Sequence, residues 1–274
     1  MDGKKVWGDR MLKKRIITSV ILIGIVTGAI FIDWVCGLVV TAFIIAGLYE
    51  FFTMLEHKGI SIYKYFGIGI GAIIPLSIVF RFEPTRRWEL LFIVSVLLFL
   101  ILMQFSRRQN QGVIVDISTT IFGIVYVSWF FSFLIKIRYL EGGLGLLATL
   151  LLITKLGDIG AYLVGVRFGK TPLIPRISPN KSVEGSIGGL AFSVLGALAA
   201  TPFLKLSFWH TILLGVSLAV LAQLGDLSES LMKRDCQVKD SGKIFPGLGG
   251  VLDTIDSLLF TAPAFYFYMS LILK

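Results

Sequence analysis

The chain is built from apolar blocks too long to be the core helices of a soluble domain. The first, residues 16–32, reads IITSVILIGIVTGAIFI. A helix that crosses a bilayer needs about 20 mostly apolar residues. Eight more blocks follow at approximately 35–55, 62–80, 88–105, 114–135, 144–166, 186–204, 208–226 and 251–272. The expected fold is therefore all-α, a polytopic integral membrane protein with about nine transmembrane helices. Composition agrees, because 55% of residues are hydrophobic and 16% charged, whereas soluble domains run to about 45–50% and about 25%.

Lys13, Lys14 and Arg15 ahead of the first block superficially resemble a secretory signal. The block is longer than a signal's apolar region and no small-residue cleavage site follows Phe31, so a retained first helix is expected. Lys and Arg in the flanks set the orientation. With the N-terminus in the cytoplasm, that side collects 18 basic residues and the other side seven. Dropping the N-terminal cluster still leaves 12 against seven. Basic cytoplasmic flanks facing anionic lipid account for the net charge of +9. No basic stripe is interleaved with stacking aromatics, so nucleic acid is not an expected partner. Cys36 and Cys236 form no CxxC and are expected to be isolated thiols.

The chain reads as one integral membrane domain, 1–274, whose character changes near residue 140. Residues 1–143 are spans joined by short loops. Residues 144–274 add two long polar cytoplasmic loops, 167–185 and 227–250, where chemistry is expected.

Three clusters stand out. Lys155 and Asp158, spaced i, i+3, lie inside a span on one helix face. Intramembrane charge is costly and either pairs or lines a cavity, so a structural ion pair and a polar pocket wall both remain open. In the loop RFGKTPLIPRISPNKSVEGSIGG, Pro172, Pro175 and Pro179 prevent a long helix. Ser178, Asn180, Lys181, Ser182 and Glu184 then precede a helix start, whose free N–H groups and positive dipole suit an anion. A solvated turn is the alternative there. Third, Asp226 ends the eighth block, while Asp253 and Asp256 open the ninth on one face. Carboxylates this close repel unless a cation intervenes, and hard oxygen ligands describe Mg2+ better than Zn2+. Lys233, Arg234, Lys239 and Lys243 share the adjoining loop. Carboxylates for a metal, cations for phosphates and a Gly-rich turn make a site for phosphoryl or nucleotidyl transfer. A charged loop with Asp253 capping a helix is the alternative.

The order S-x-x-K-R-x4-K-D-x-G-x2-F-P-x-x-G-G-V-x-D-x-I-D resembles the signature of the phosphatidate cytidylyltransferase (CDP-diacylglycerol synthase) family. It is carried by Ser230, Lys233, Arg234, Lys239, Asp240, Gly242, Phe245, Pro246, Gly249, Gly250, Asp253 and Asp256. The upstream SPNKSVEG and GDIGAYLVGVRFGK are similar to that family's elements too, so the resemblance covers about residues 155–257. The family usually has His where this chain has Leu248, and Arg where it has Thr254.

The resemblance implies an Mg-dependent nucleotidyltransferase of phospholipid biosynthesis, converting CTP and phosphatidate to CDP-diacylglycerol and pyrophosphate. It implies catalytic roles for Asp226, Asp253, Asp256, Lys239 and Asp240, with Asp226, Asp253 and Asp256 on Mg2+ and a second cation left open. Substrate contacts are expected from Ser178, Asn180, Lys181, Ser182, Glu184, Lys233, Arg234, Gly249, Gly250, Lys155 and Asp158. CTP, phosphatidate and membrane lipid are the expected partners, and a homodimer is an open assembly. The expected setting is the inner or plasma membrane, with the site facing the cytoplasm. Rivals are another CTP-dependent lipid enzyme, such as an isoprenoid-alcohol kinase or a CDP-archaeol-type synthase, and a cation-coupled transporter. A transporter favours polar residues spread through several spans, whereas here they gather at the cytoplasmic edge.

Overall fold

The computed structural model describes residues 2–82, 88–105 and 111–273, with the backbone alone at 2–14 and 89. Helices occupy every apolar block. In order they are α1 (Asp2–Ile30), α2 (Asp33–His57), α3 (Lys64–Val79), α4 (Trp88–Gln104), α5 (Val113–Gly123), α6 (Phe130–Arg138), α7 (Gly143–Phe168), α8 (Val183–Ala199), α9 (Thr201–Leu204), α10 (Phe208–Asp235) and α11 (Leu252–Ile272). Among the described residues, five segments are long and apolar enough to cross a membrane by length and composition. These are Asp33–His57, Val113–Arg138, Gly143–Phe168, Phe208–Asp235 and Leu252–Ile272. Arg86, Arg87, Arg107, Arg108 and Lys274, which enter the orientation count, lie outside the described residues.

Two local features depart from the sequence reading. The Pro-rich segment is a short antiparallel ribbon, β1 (Pro172–Ile174) and β2 (Ser178–Ser182), so the fold is not purely helical. Proline bars the helix there, and the paired strands satisfy backbone groups that a loop would leave to water. The second polar loop is shorter than expected, because α10 continues to Asp235 and takes residues 227–235 into the helix. Glu229 and Lys233 form an i, i+4 ion pair along it, which favours helix over coil.

The chain divides into two units. The first comprises Met1–Ile135 and Cys236–Asp253, the second Lys136–Asp235 and Thr254–Lys274. In the first unit, Ile44, Leu48, Phe51 and Phe52 of α2 form the buried spine. Glycines of α3 let that spine approach closely: a Cβ on Gly67 would lie 2.7 Å from the Phe52 ring, and one on Gly71 would lie 2.3 Å from Leu48 Cδ1. Pro75 within α3 has no N–H to give the Gly71 carbonyl. A π-helical turn at Ile124–Trp129, between α5 and α6, turns Ser128 onto that carbonyl, and its hydroxyl donates to Gly71 O at 2.5 Å. Cys36 and Cys236 are both buried, and neither is in a disulfide.

In the second unit, α7 and α8 pack through small residues. A Cβ at Gly157 would sit 2.3 Å from Ser193 Oγ, and one at Gly188 would sit 2.5 Å from Val164. Small residues let apolar helices gain dispersion contact where lipid offers no hydrophobic drive. Leu146, Leu147, Leu150 and Ile153 of α7, with Leu259, Ala262 and Phe265 of α11, are fully buried.

Candidate active site

Gly225 builds the centre of the site. A Cβ there would lie 2.4 Å from the Asp256 carbonyl oxygen and 3.4 Å from Ser257 Cα. The absent side chain lets α10 and α11 touch backbone to backbone, next to Asp226 on one helix and Asp256 on the other. Asp256 is 8% exposed, and the charges acting on its carboxylate include Asp226, Glu229, Asp158 and Lys155. Its Oδ1 accepts the Ser257 N–H at 2.6 Å.

Cations enter this acidic cluster from two elements. Lys181, on β2, pairs with Asp226 at 2.5 Å. Lys155, on α7, donates to Asp158 Oδ2 at 2.9 Å, to Ser257 Oγ at 3.2 Å and to the Thr254 carbonyl at 3.3 Å. Ser257 in turn donates to Asp158 at 3.2 Å. The Lys155–Asp158 pair therefore exists, and it joins the α11 carboxylate cluster rather than standing alone.

The remaining second-unit residues frame the cluster. Ser182 caps α8 by accepting the Gly185 N–H at 3.1 Å. Glu184 accepts the backbone N–H groups of Lys170 at 3.0 Å and Thr171 at 3.2 Å. It lies ahead of the apolar part of α8, and its carboxyl is held down to about 2 by those bonds, with Lys170 foremost. Ser178 and Asn180 lie on β2, with Asn180 exposed. Lys233 pairs with the fully buried Glu229, and Arg234 donates to the Ile177 carbonyl at 3.2 Å.

The first unit holds the other named residues. Asp253 Oδ2 accepts the Gly250 N–H at 2.7 Å, the Ser241 N–H at 2.9 Å and the Ser241 hydroxyl at 2.8 Å. These donors lie ahead of α11 rather than among its free N–H groups, and the bonds close the turn in which Gly249 takes φ +103. Lys239 and Asp240 are exposed on the same loop, and Leu248 is half-buried.

Sequence reasoning missed Glu229, Ser257, Glu50 and Ser241. Glu229 carried a signal, three positions after Asp226 and four before Lys233. Glu50 carried one too, as an acid inside an apolar block.

Among the described residues, no three Asp, Glu, His or Cys side chains are gathered closely enough to hold a metal ion by themselves. Asp226 and Asp256 still fit Mg2+, which takes one or two carboxylates and completes its shell with water and substrate phosphate.

The chain matches the profile of the cytidylyltransferase family over residues 13–272. The chain belongs to the cytidylyltransferase family. It is 32% identical to a phosphatidate cytidylyltransferase of Synechocystis sp., over 96% of this chain and 98% of that protein. A phosphatidate cytidylyltransferase of Thermotoga maritima is 36% identical, over 93% of this chain and 95% of that one. One from Staphylococcus aureus is 35% identical, over 83% and 88%. Family membership and the run of long apolar helices together make the chain a multi-pass membrane protein.

Proposed function

We propose that this cytidylyltransferase moves CMP from CTP to phosphatidate, giving CDP-diacylglycerol and pyrophosphate. The observation that carries the reading is the close approach of Gly225 to the Asp256 backbone, with Asp226, Lys155 and Lys181 in the same charged cluster. It lies in a chain related along nearly its whole length to phosphatidate cytidylyltransferases.

A phosphate oxygen of phosphatidate attacks the α-phosphorus of CTP. The bond from that phosphorus to the bridging oxygen breaks, and pyrophosphate leaves with the electron pair. The nucleophile is already an anion, so no strong base is needed. The demands are to hold two polyanions in line and to screen their repulsion.

Asp226 and Asp256 would hold Mg2+, with Asp253, one turn away on α11, as the third carboxylate named from the sequence. The bound ion supplies screening of the nucleotide phosphates and of the charge that develops on the leaving group. Lys181 and Lys155 are cations already drawn into the cluster, placed to exchange a carboxylate partner for a phosphate oxygen. Lys233, Arg234 and Lys239 are the further phosphate contacts of this reading. Ser182 and Glu184 hold the ribbon that carries Lys181.

Nine spans with the N-terminus inside put this cluster at the cytoplasmic face of the inner or plasma membrane. The basic-residue count of 18 against seven supports that orientation. CTP then enters from water and phosphatidate enters sideways from the bilayer.

Purified protein in detergent, given labelled CTP, phosphatidate and Mg2+, tests the reading by formation of CDP-lipid and pyrophosphate. Turnover that disappears in Asp226→Ala and Asp256→Ala is the expected result. Wild-type protein that makes no CDP-lipid above an Asp253→Ala, Asp256→Ala control sinks it. Competition from isoprenoid alcohols or archaeal-type lipids that outruns phosphatidate would move the acceptor elsewhere.

A further inference from the structure

Glu50 lies about two-thirds of the way along α2, is 3% exposed, and belongs to none of the motifs above. Its Oε2 accepts the Leu252 N–H at 2.9 Å and the Ser241 hydroxyl at 3.1 Å. Its Oε1 is buried with no hydrogen-bond partner. That oxygen faces two glycines: a Cβ on Gly242 would come within 2.1 Å of it, and one on Gly250 within 2.6 Å. The loop is thus shaped around this carboxylate, with glycine at the two positions where a side chain would collide with it.

A buried carboxylate in an apolar helix is costly, and the loop turn does not need one for closure. Asp253 alone already takes the N–H groups of Ser241 and Gly250. What Glu50 adds is twofold. It accepts an N–H from the first residue of α11, one of the donors that a helix start leaves open. It also competes for the single proton of the Ser241 hydroxyl, which lies 2.8 Å from Asp253 Oδ2 and 3.1 Å from Glu50 Oε2. A hydroxyl has one hydrogen to donate, so the two carboxylates are linked through it.

We infer that Glu50 is a positioning residue: it clamps the loop of residues 241–252 to α2 and, through Ser241, orients the Asp253 carboxylate for the nucleotidyl transfer proposed above. It touches no reacting atom. The inference rests on that reading for its catalytic consequence, whereas the clamp itself does not.

Two readouts keep these apart. Hydrogen–deuterium exchange of the full chain in detergent, without substrate, reads the clamp. Glu50→Leu should speed exchange at residues 241–252 by about tenfold or more while α7 and α8 stay as in wild type. Glu50→Gln, which keeps an acceptor oxygen for Leu252 and Ser241, should restore protection. Steady-state turnover reads the consequence. Glu50→Leu should lower kcat by about tenfold or more, the scale expected of a displaced catalytic group, with KM for CTP changed less than about threefold. Glu50→Gln should recover most of that kcat. Ser241→Ala, which leaves Glu50 in place, should show the same kcat loss, and guards against a Glu50→Leu chain that fails to fold.

Wild-type exchange at residues 241–252 in both Glu50→Leu and Ser241→Ala overturns the clamp. Altered exchange with wild-type kcat overturns the positioning role. Glu50→Gln as damaged as Glu50→Leu also overturns it, because charge rather than hydrogen bonding would then be at issue. A wild-type protein that makes no CDP-lipid condemns the functional reading instead, and the exchange result still decides the clamp.

Discussion

Gly225→Ala tests whether turnover depends on how closely α10 and α11 approach. The new methyl carbon would sit 2.4 Å from the Asp256 carbonyl oxygen and 3.3 Å from its carbonyl carbon. Ordinary carbon contacts begin near 3.5 Å, so the helices must part or slide by roughly 1 Å. The obstacle is backbone, not the flexible end of a side chain, and cannot swing aside. Overpacking of this kind costs about 1–3 kcal/mol. A displacement of about 1 Å at a positioned group costs on the order of 100-fold in rate. The expected result is a folded protein with a modestly lower melting temperature and a kcat reduced about 10- to 100-fold. On the proposed reading more Mg2+ should be needed for half-maximal activity, since the backbones that carry Asp226 and Asp256 are forced apart. Gly69→Ala is the matched control, because a Cβ there has nothing within 4 Å, and it should behave as wild type. Both variants are compared by size-exclusion profile, thermal melting and CDP-lipid formation against Mg2+ concentration. Folded Gly225→Ala protein with kcat within twofold of wild type would refute the link between this approach and catalysis.

Ser128→Ala leaves the Gly71 carbonyl without its 2.5 Å donor inside apolar packing, and should cost about 1–3 kcal/mol. The loss should show as a lower detergent melting temperature with KM unchanged, and an unshifted melt would refute the account. Glu184 should remain ionised at pH 3–4, where an ordinary glutamate has taken up its proton, because its folded-state value lies near 2 and its unfolded value at 4.5. The sign follows: its contribution is full above 4.5 and is lost as pH falls through 2. Protection of the Lys170 and Thr171 amides should therefore persist at pH 3 in wild type and be weaker in Glu184→Gln. Equal protection in the two proteins would refute this.

The helices were legible because a long apolar run is a local mark in the sequence, and each such block is helical in the structure. What escaped depends on partners far apart in the chain or on polar helix. Residues 227–235 read as loop because they carry charge, yet they continue α10, with the Glu229–Lys233 pair along it. The acidic residues of the site were visible as types, since carboxylates beside apolar runs need an explanation. The division of labour among them was not. Asp256 sits in the acidic cluster, while Asp253 closes a turn, and only the Gly250 and Ser241 hydrogen bonds distinguish them. Glu50 meets Ser241 across 191 positions, a separation that no spacing rule reads.

The Ser128–Gly71 hydrogen bond also constrains how the protein is made. Pro75 deprives the Gly71 carbonyl of its usual i+4 donor as soon as α3 forms. Its donor lies 57 residues further along the chain. During synthesis that particular bond cannot form until the segment carrying Ser128 has emerged. A ribosome paused between those two points would hold an intermediate without that bond.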